Sequence, residues 1–143
     1  MLLQTTRLRE RGKSLPIAER MALPTTASHE AHEQEVLVDA RNVARSRWPN
    51  VPDGELVDRV RRWAKAEGVR AVIVFDGRAP ERADDVIGTG GESADDWIAR
   101  AAARLRVEGR AFWLVTSDRE LRGRAGAERT IGGGSFLRLL ELE

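Results

Sequence analysis

The run VRAVIVF at 69–75, closed by Asp76 and Gly77, constrains the fold more than any other segment. It is continuously apolar and rich in β-branched residues, the pattern of a strand covered on both faces, and such strands belong to parallel sheets packed between helices. VLVD at 36–39 and AFWLVTSD at 111–118 repeat the pattern. Helical spacing fills the gaps. Leu56, Val57, Val60, Trp63 and Ala64 recur until Gly68, with Asp53 as the expected cap, and Ala94, Trp97, Ile98, Ala101, Ala102 and Leu105 follow Ser93, with Asp96 three residues after it. NVARSRWPN (42–50) reads as a turn and short helix closed by Pro49, DDVIG (84–88) as a weaker strand and GTGGE (88–92) as a flexible loop. DRELRGRAG (118–126) reads as a short helix and ERTI (128–131) as a last strand. Ser135 is expected to cap the terminal helix FLRLLE.

Strands alternating with helices predict an α/β domain over 35–143, with a mostly parallel central sheet and helices on both faces. Residues 1–34 carry Pro16, Pro24, His29 and His32 without apolar periodicity, and are expected to be a poorly ordered tail outside the core. No apolar run approaches the roughly 18–20 residues of a membrane span, and the N-terminus lacks a secretory h-region, so a cytoplasmic address and no membrane contact are expected. With Cys 0 there is no thiolate nucleophile, thiolate metal site or disulfide. The 24 basic and 23 acidic residues give a net charge of +1, which makes no global case for nucleic acid. All the basic residues except Lys13 and Lys65 are arginine. Arginine suits bidentate phosphate contacts, although a GC-rich coding bias produces the same count.

The carboxylates carry the chemistry. Asp39, Asp76 and Asp118 each close an apolar run, and Asp95 and Asp96 stand in the first turn of the 93–107 helix beside Glu92. In an open α/β sheet, ligands bind at the carboxyl ends of the strands, so parallel strands would gather these acids on one edge. Crowded carboxylates repel and persist where a divalent cation neutralises them. Oxygen donors with no His or Cys in the domain favour Mg²⁺ or Mn²⁺ over zinc. Each acid also has a structural duty to set against this: Asp95 or Asp96 complements a helix dipole, Asp118 caps a helix, and Asp76 forms a turn with Gly77. Asp39 has no such duty. There is no P-loop and no GxSxG elbow, and position 41 is Arg where an aspartyl phosphatase needs a second Asp. GGGS at 132–135 is read as a flexible cap rather than a phosphate site.

Taken in order, VLVDARNV, VIVFDG, ESADDWIA, LVTSDRELR and GAERTIGGGSFLRLL resemble the YacP-like NYN domains of the PIN-like nuclease superfamily, across residues 35–143. The resemblance implies a PIN-like three-layer domain and Mg²⁺- or Mn²⁺-dependent cleavage of single-stranded RNA by metal-activated water. It implies Asp39, Asp95 and Asp118 as catalytic metal ligands. Asn42, Glu92, Asp96, Thr116 and Ser117 would support them. Arg41, Arg45 and Arg47 follow Asp39, and Arg119 and Arg122 follow Asp118; they either bind phosphate or are simply solvated. Trp48 either stacks on a base or covers the core, while Trp63, Trp97 and Trp113 are expected in the core. The partner implied is RNA, in some cases on the ribosome. The alternatives are a non-catalytic RNA- or ribosome-binding module on the same fold, and a small α/β phosphoesterase.

Overall fold

The computed structural model describes residues 33–142. Apart from its last two residues, the expected tail at 1–34 lies outside the described residues. Strand β1 (Gln34–Asp39) leads into a short helix α1 (Ala40–Ala44) and then α2 (Asp53–Glu67). The chain continues through β2 (Val69–Phe75), β3 (Val86–Gly88), α3 (Ala94–Val107), β4 (Phe112–Val115), α4 (Arg119–Ala125), β5 (Arg129–Ile131) and α5 (Gly133–Glu141). The strands form one five-stranded sheet in the order β3-β2-β1-β4-β5, and every pairing in it is parallel.

Alternate side chains of the central strands feed two apolar layers. Val36, Val38, Ile73 and Phe75 face α1, α2 and α5, where Trp63 meets Phe136 edge to face at 4.8 Å. Leu37, Val72, Val74 and Leu114 face α3 and α4, against Ile98, Ala102 and Leu121. Both faces are covered, as the unbroken apolar runs require. Among the described residues no helix is long and apolar enough to cross a membrane.

Several expected details change. Pro52 occupies the cap position of α2, so Asp53 sits in the first turn and complements the helix dipole there instead of capping. Gly68, at φ 70°, ends that helix in the left-handed conformation that glycine tolerates best. β3 and β4 are only three and four residues long, β3 at the edge of the sheet and β4 inside it. The GTGGE segment is a pinned turn: the Thr89 amide donates to Phe75 O (3.1 Å), its hydroxyl donates to Glu92 O (2.6 Å), and that hydroxyl oxygen accepts the Gly77 amide (3.0 Å). Trp63 is buried, but Trp97 and Trp113 are only half-buried at the margin of the core; the guanidinium of Arg129 covers the Trp113 ring at 4.8 Å. Ser135 does not cap α5. The helix starts two residues earlier, with Gly132 in the cap position.

At the amino end of the sheet sits a buried charge that the sequence did not announce. Glu35 is held between Arg70 (3.2 Å) and Arg110 (3.0 Å), which supply the partners a buried carboxylate requires.

Candidate active site

The chain runs outward from β1 to β3 and then restarts on the other side at β4, so strand order reverses between β1 and β4. Asp39 ends β1 at that crevice and is only 7% exposed. It is tied across to the end of β4, where the fully buried Thr116 donates its hydroxyl to Asp39 Oδ2 at 2.9 Å. The Asp118 amide donates to Thr116 Oγ1 at 3.2 Å, and Asp118 Oδ1 accepts the Leu121 amide at 3.1 Å, capping α4. Asp118 thus performs the capping duty weighed for it in the sequence.

The remaining supports come from α1 and α5. Asn42 Oδ1 accepts the Ser117 amide at 2.9 Å, and Ser117 Oγ accepts the Gly133 amide at 2.8 Å. Ser46 donates its hydroxyl to Asn42 O at 2.9 Å. Arg122, read as phosphate-binding or solvated, donates from Nε to Thr116 O at 2.9 Å and braces the turn after β4. Sequence reasoning missed the role of Gly132–Gly134. A Cβ at Gly133 would collide with Asn42 Oδ1 and stand 2.7 Å from Ser46 Oγ and 3.0 Å from Asn42 O. Neither Gly132 nor Gly133 has a positive φ. A pair of glycines with no turn to make is the signal of close backbone approach.

The acids feel one another. Burial pushes the Asp39 carboxyl above its usual range and the charge of Asp95 adds to the shift, while the Thr116 bond and the charge of Arg45 oppose it. Asp95 is likewise raised, first by partial burial and then by the charge of Asp118, with Arg124 opposing. The charge of Asp95 thus bears on Asp39, and that of Asp118 on Asp95. Glu92 and Asp96 turn elsewhere, Glu92 to Arg100 and Asp96 to Arg124 (3.1 Å). Among the described residues no three Asp, Glu or His side chains converge into a ready-made metal cage. The donors that remain are carboxylate oxygens, which suit a hydrated Mg²⁺ or Mn²⁺ held by one or two carboxylates and its own waters.

On the rim, Arg41 and Arg45 are exposed beside Asp39, and Arg119 is exposed at the start of α4. Arg47 pairs with Glu141. Trp48 is 87% exposed, which removes the reading of it as a core residue.

The cap formed by Asp118 yields a prediction. Asp118→Asn keeps an oxygen for the Leu121 amide and should melt as wild type does, whereas Asp118→Ala should lose about 1 kcal/mol of cap energy and melt several degrees lower. Thermal unfolding of both variants checks it.

No protein-family model matches the chain, and no curated protein matches it. Two crystal structures of Rae1 (YacP) from Bacillus subtilis do resemble it. One, of a tryptophan-to-leucine mutant, has a TM-score of 0.59 and 22% identity and covers 76% of each chain. The other has a TM-score of 0.58 and 20% identity, covering 76% of this chain and 74% of that one. At these identities the likeness shows the fold, which is the PIN-like α/β fold. The solved structures bear the YacP name to which the ordered motifs pointed.

Proposed function

We propose that this domain is a divalent-metal-dependent endoribonuclease acting on single-stranded RNA. The observation that carries the reading is Asp39: a buried carboxylate at the strand-order reversal, with its charge opposed by burial and by Asp95 rather than matched by a bonded cation. A buried acid in that condition is costly unless it serves a ligand. Asp39 and Asp95 would hold Mg²⁺ or Mn²⁺, with Asp118 acting directly or through water. A divalent ion so bound supplies positive charge to the phosphodiester and a water acidic enough to attack it near neutral pH.

The chain's own groups do the rest. Thr116 fixes the Asp39 carboxylate, Asn42 and Ser117 hold the β4 turn in register with α1, and Arg41, Arg45 and Arg119 offer charge to RNA phosphates. Trp48, exposed next to Arg47, offers a face on which an unpaired base can stack. Ribosome-bound RNA belongs to the same proposal through the YacP-like resemblance.

An end-labelled single-stranded RNA incubated with Mn²⁺ tests the reading. Cutting should stop in EDTA and fall roughly a hundredfold in Asp95→Asn, while gel-shift binding persists because the arginines are untouched. Cutting that survives EDTA would remove the metal mechanism. The second reading is an RNA-binding module without catalysis, favoured by the absence of a three-carboxylate cage among the described residues. Binding to several RNAs without cleavage under either metal would establish it.

A further inference from the structure

The 76–85 connection between β2 and β3 folds beside the carboxyl edge of the sheet and borders a cleft of about 620 Å³. Its lining includes Gly77, Arg78, Glu81, Arg82, Gly88 and Gly90. Arg61, from α2, controls the charge of this wall. It grips Asp85 with two bonds of 2.8 Å and Glu81 with bonds of 3.0 and 3.3 Å. The grip holds the Asp85 carboxyl below its usual range. Glu81, the acid on the lining, is thereby paired from behind. Arg78 and Arg82 are exposed on the lining and make no ion pair with any described residue. The lining thus presents two arginines without an ion pair against one paired glutamate.

Its position matters as much as its charge. Gly77 follows β2 and Gly88 ends β3, on the same edge where Asp39 ends β1. β2 and β3 lie one and two strand spacings from β1, roughly 5 and 10 Å. Arg41 bridges the interval, donating to Asp76 O at 3.4 Å. A polymer phosphate at Asp39 therefore has its next phosphates within reach of Arg41, then of Arg78 and Arg82. The wall is also held in shape. A Cβ on Gly88 would lie 2.9 Å from both Ala79 N and Gly77 O, and the Gly90 amide donates to Gly77 O at 3.0 Å.

We propose that this cleft receives the nucleotides of single-stranded RNA that flank the bond at Asp39, with Arg78 and Arg82 on their phosphates. The inference rests on the ribonuclease reading, and its test separates the two. Binding of fluorescein-labelled oligouridylates of increasing length is measured in EDTA across a salt series, for wild type, for Arg78→Gln/Arg82→Gln and for Arg78→Lys/Arg82→Lys. Each phosphate contact on a single strand contributes about 0.7 to the salt slope. The glutamine pair should flatten the slope by about 1.4, weaken long oligomers about tenfold and leave the shortest almost unaffected, while the lysine pair restores the slope. Melting temperatures should match throughout, because neither arginine takes part in the Arg61 clamp. Equal slopes and affinities in wild type and the glutamine pair would overturn the cleft assignment and leave the ribonuclease reading intact. The same slope loss on polyglutamate would mark a general anion surface and also overturn it. A wild type that binds no RNA of any length would overturn both.

Discussion

Asp39→Asn should reduce RNA cleavage about a thousandfold or more while leaving the metal-free protein at least as stable as wild type. The two halves of this expectation have one cause. The ionised Asp39 carboxylate is buried and faces the charge of Asp95, so the folded protein holds its proton to a higher pH than the unfolded chain does. At neutral pH the ionised form therefore opposes folding. Asparagine removes that opposition and retains an oxygen for the Thr116 hydroxyl. The pH dependence follows with a definite sign. As pH falls through the raised folded-state value, the native carboxyl protonates before the unfolded one, and wild type regains what it lacked at neutral pH. Any stability advantage of the variant should then shrink from pH 7 toward pH 4. Asp85 works in the opposite direction: Arg61 keeps its folded value low, and its contribution is lost as pH falls through that value. That contribution is common to both proteins and cancels in the difference. Melting curves in EDTA across this range, paired with cleavage assays in Mn²⁺, check both halves. A variant that unfolds would make Asp39 a structural residue, and one that cuts at the wild-type rate would end its catalytic assignment.

Gly133→Ala should be among the most damaging single methyls in the domain, costing about 1–3 kcal/mol and lowering the melting temperature by roughly 5–15 °C. A side-chain tip can usually move away from an added methyl. Here the tip is Asn42 Oδ1, which already accepts the Ser117 amide, and behind it stands Asn42 O, which is backbone and cannot swing. Yielding therefore breaks the link between α1 and the turn after β4. The same displacement shifts Thr116 relative to Asp39, so cleavage should fall together with stability. In an Asn42→Ala background the additional cost of Gly133→Ala should be smaller, because one of the colliding atoms is gone. Calorimetric unfolding of the two single variants and the double variant measures that coupling. Equal costs in both backgrounds would show that the Gly133 approach is not what ties these elements together.

Periodicity and side-chain type carried the architecture of this chain. An unbroken apolar strand such as Val69–Phe75 is tolerable only when covered on both faces, so the parallel three-layer sheet was legible before any coordinate. The edge-gathering of Asp39 and Asp118 followed from it, since parallel strands carry their final residues to one side. Cap positions were less legible. Ser93 and Asp118 cap as read, with their side chains accepting from Asp96 and Leu121 amides, whereas Asp53 and Ser135 do not. A cap depends on where the chain enters the helix, which packing sets for α5 through Gly133. Longer-range pairings were not legible at all. Thr116 meets Asp39 across 77 residues of sequence and Ser117 meets Asn42 across 75. Glu92, Asp95 and Asp96 look interchangeable in a row of acids. Folding turns Glu92 to Arg100 and Asp96 to Arg124, and leaves Asp95 to act on Asp39. Which residue types reach the carboxyl edge follows from local period and strand direction, and so could be read from the amino-acid order. Which of them face one another depends on the folded chain, because an arginine's reach and a glycine's missing Cβ act between segments that no local pattern connects.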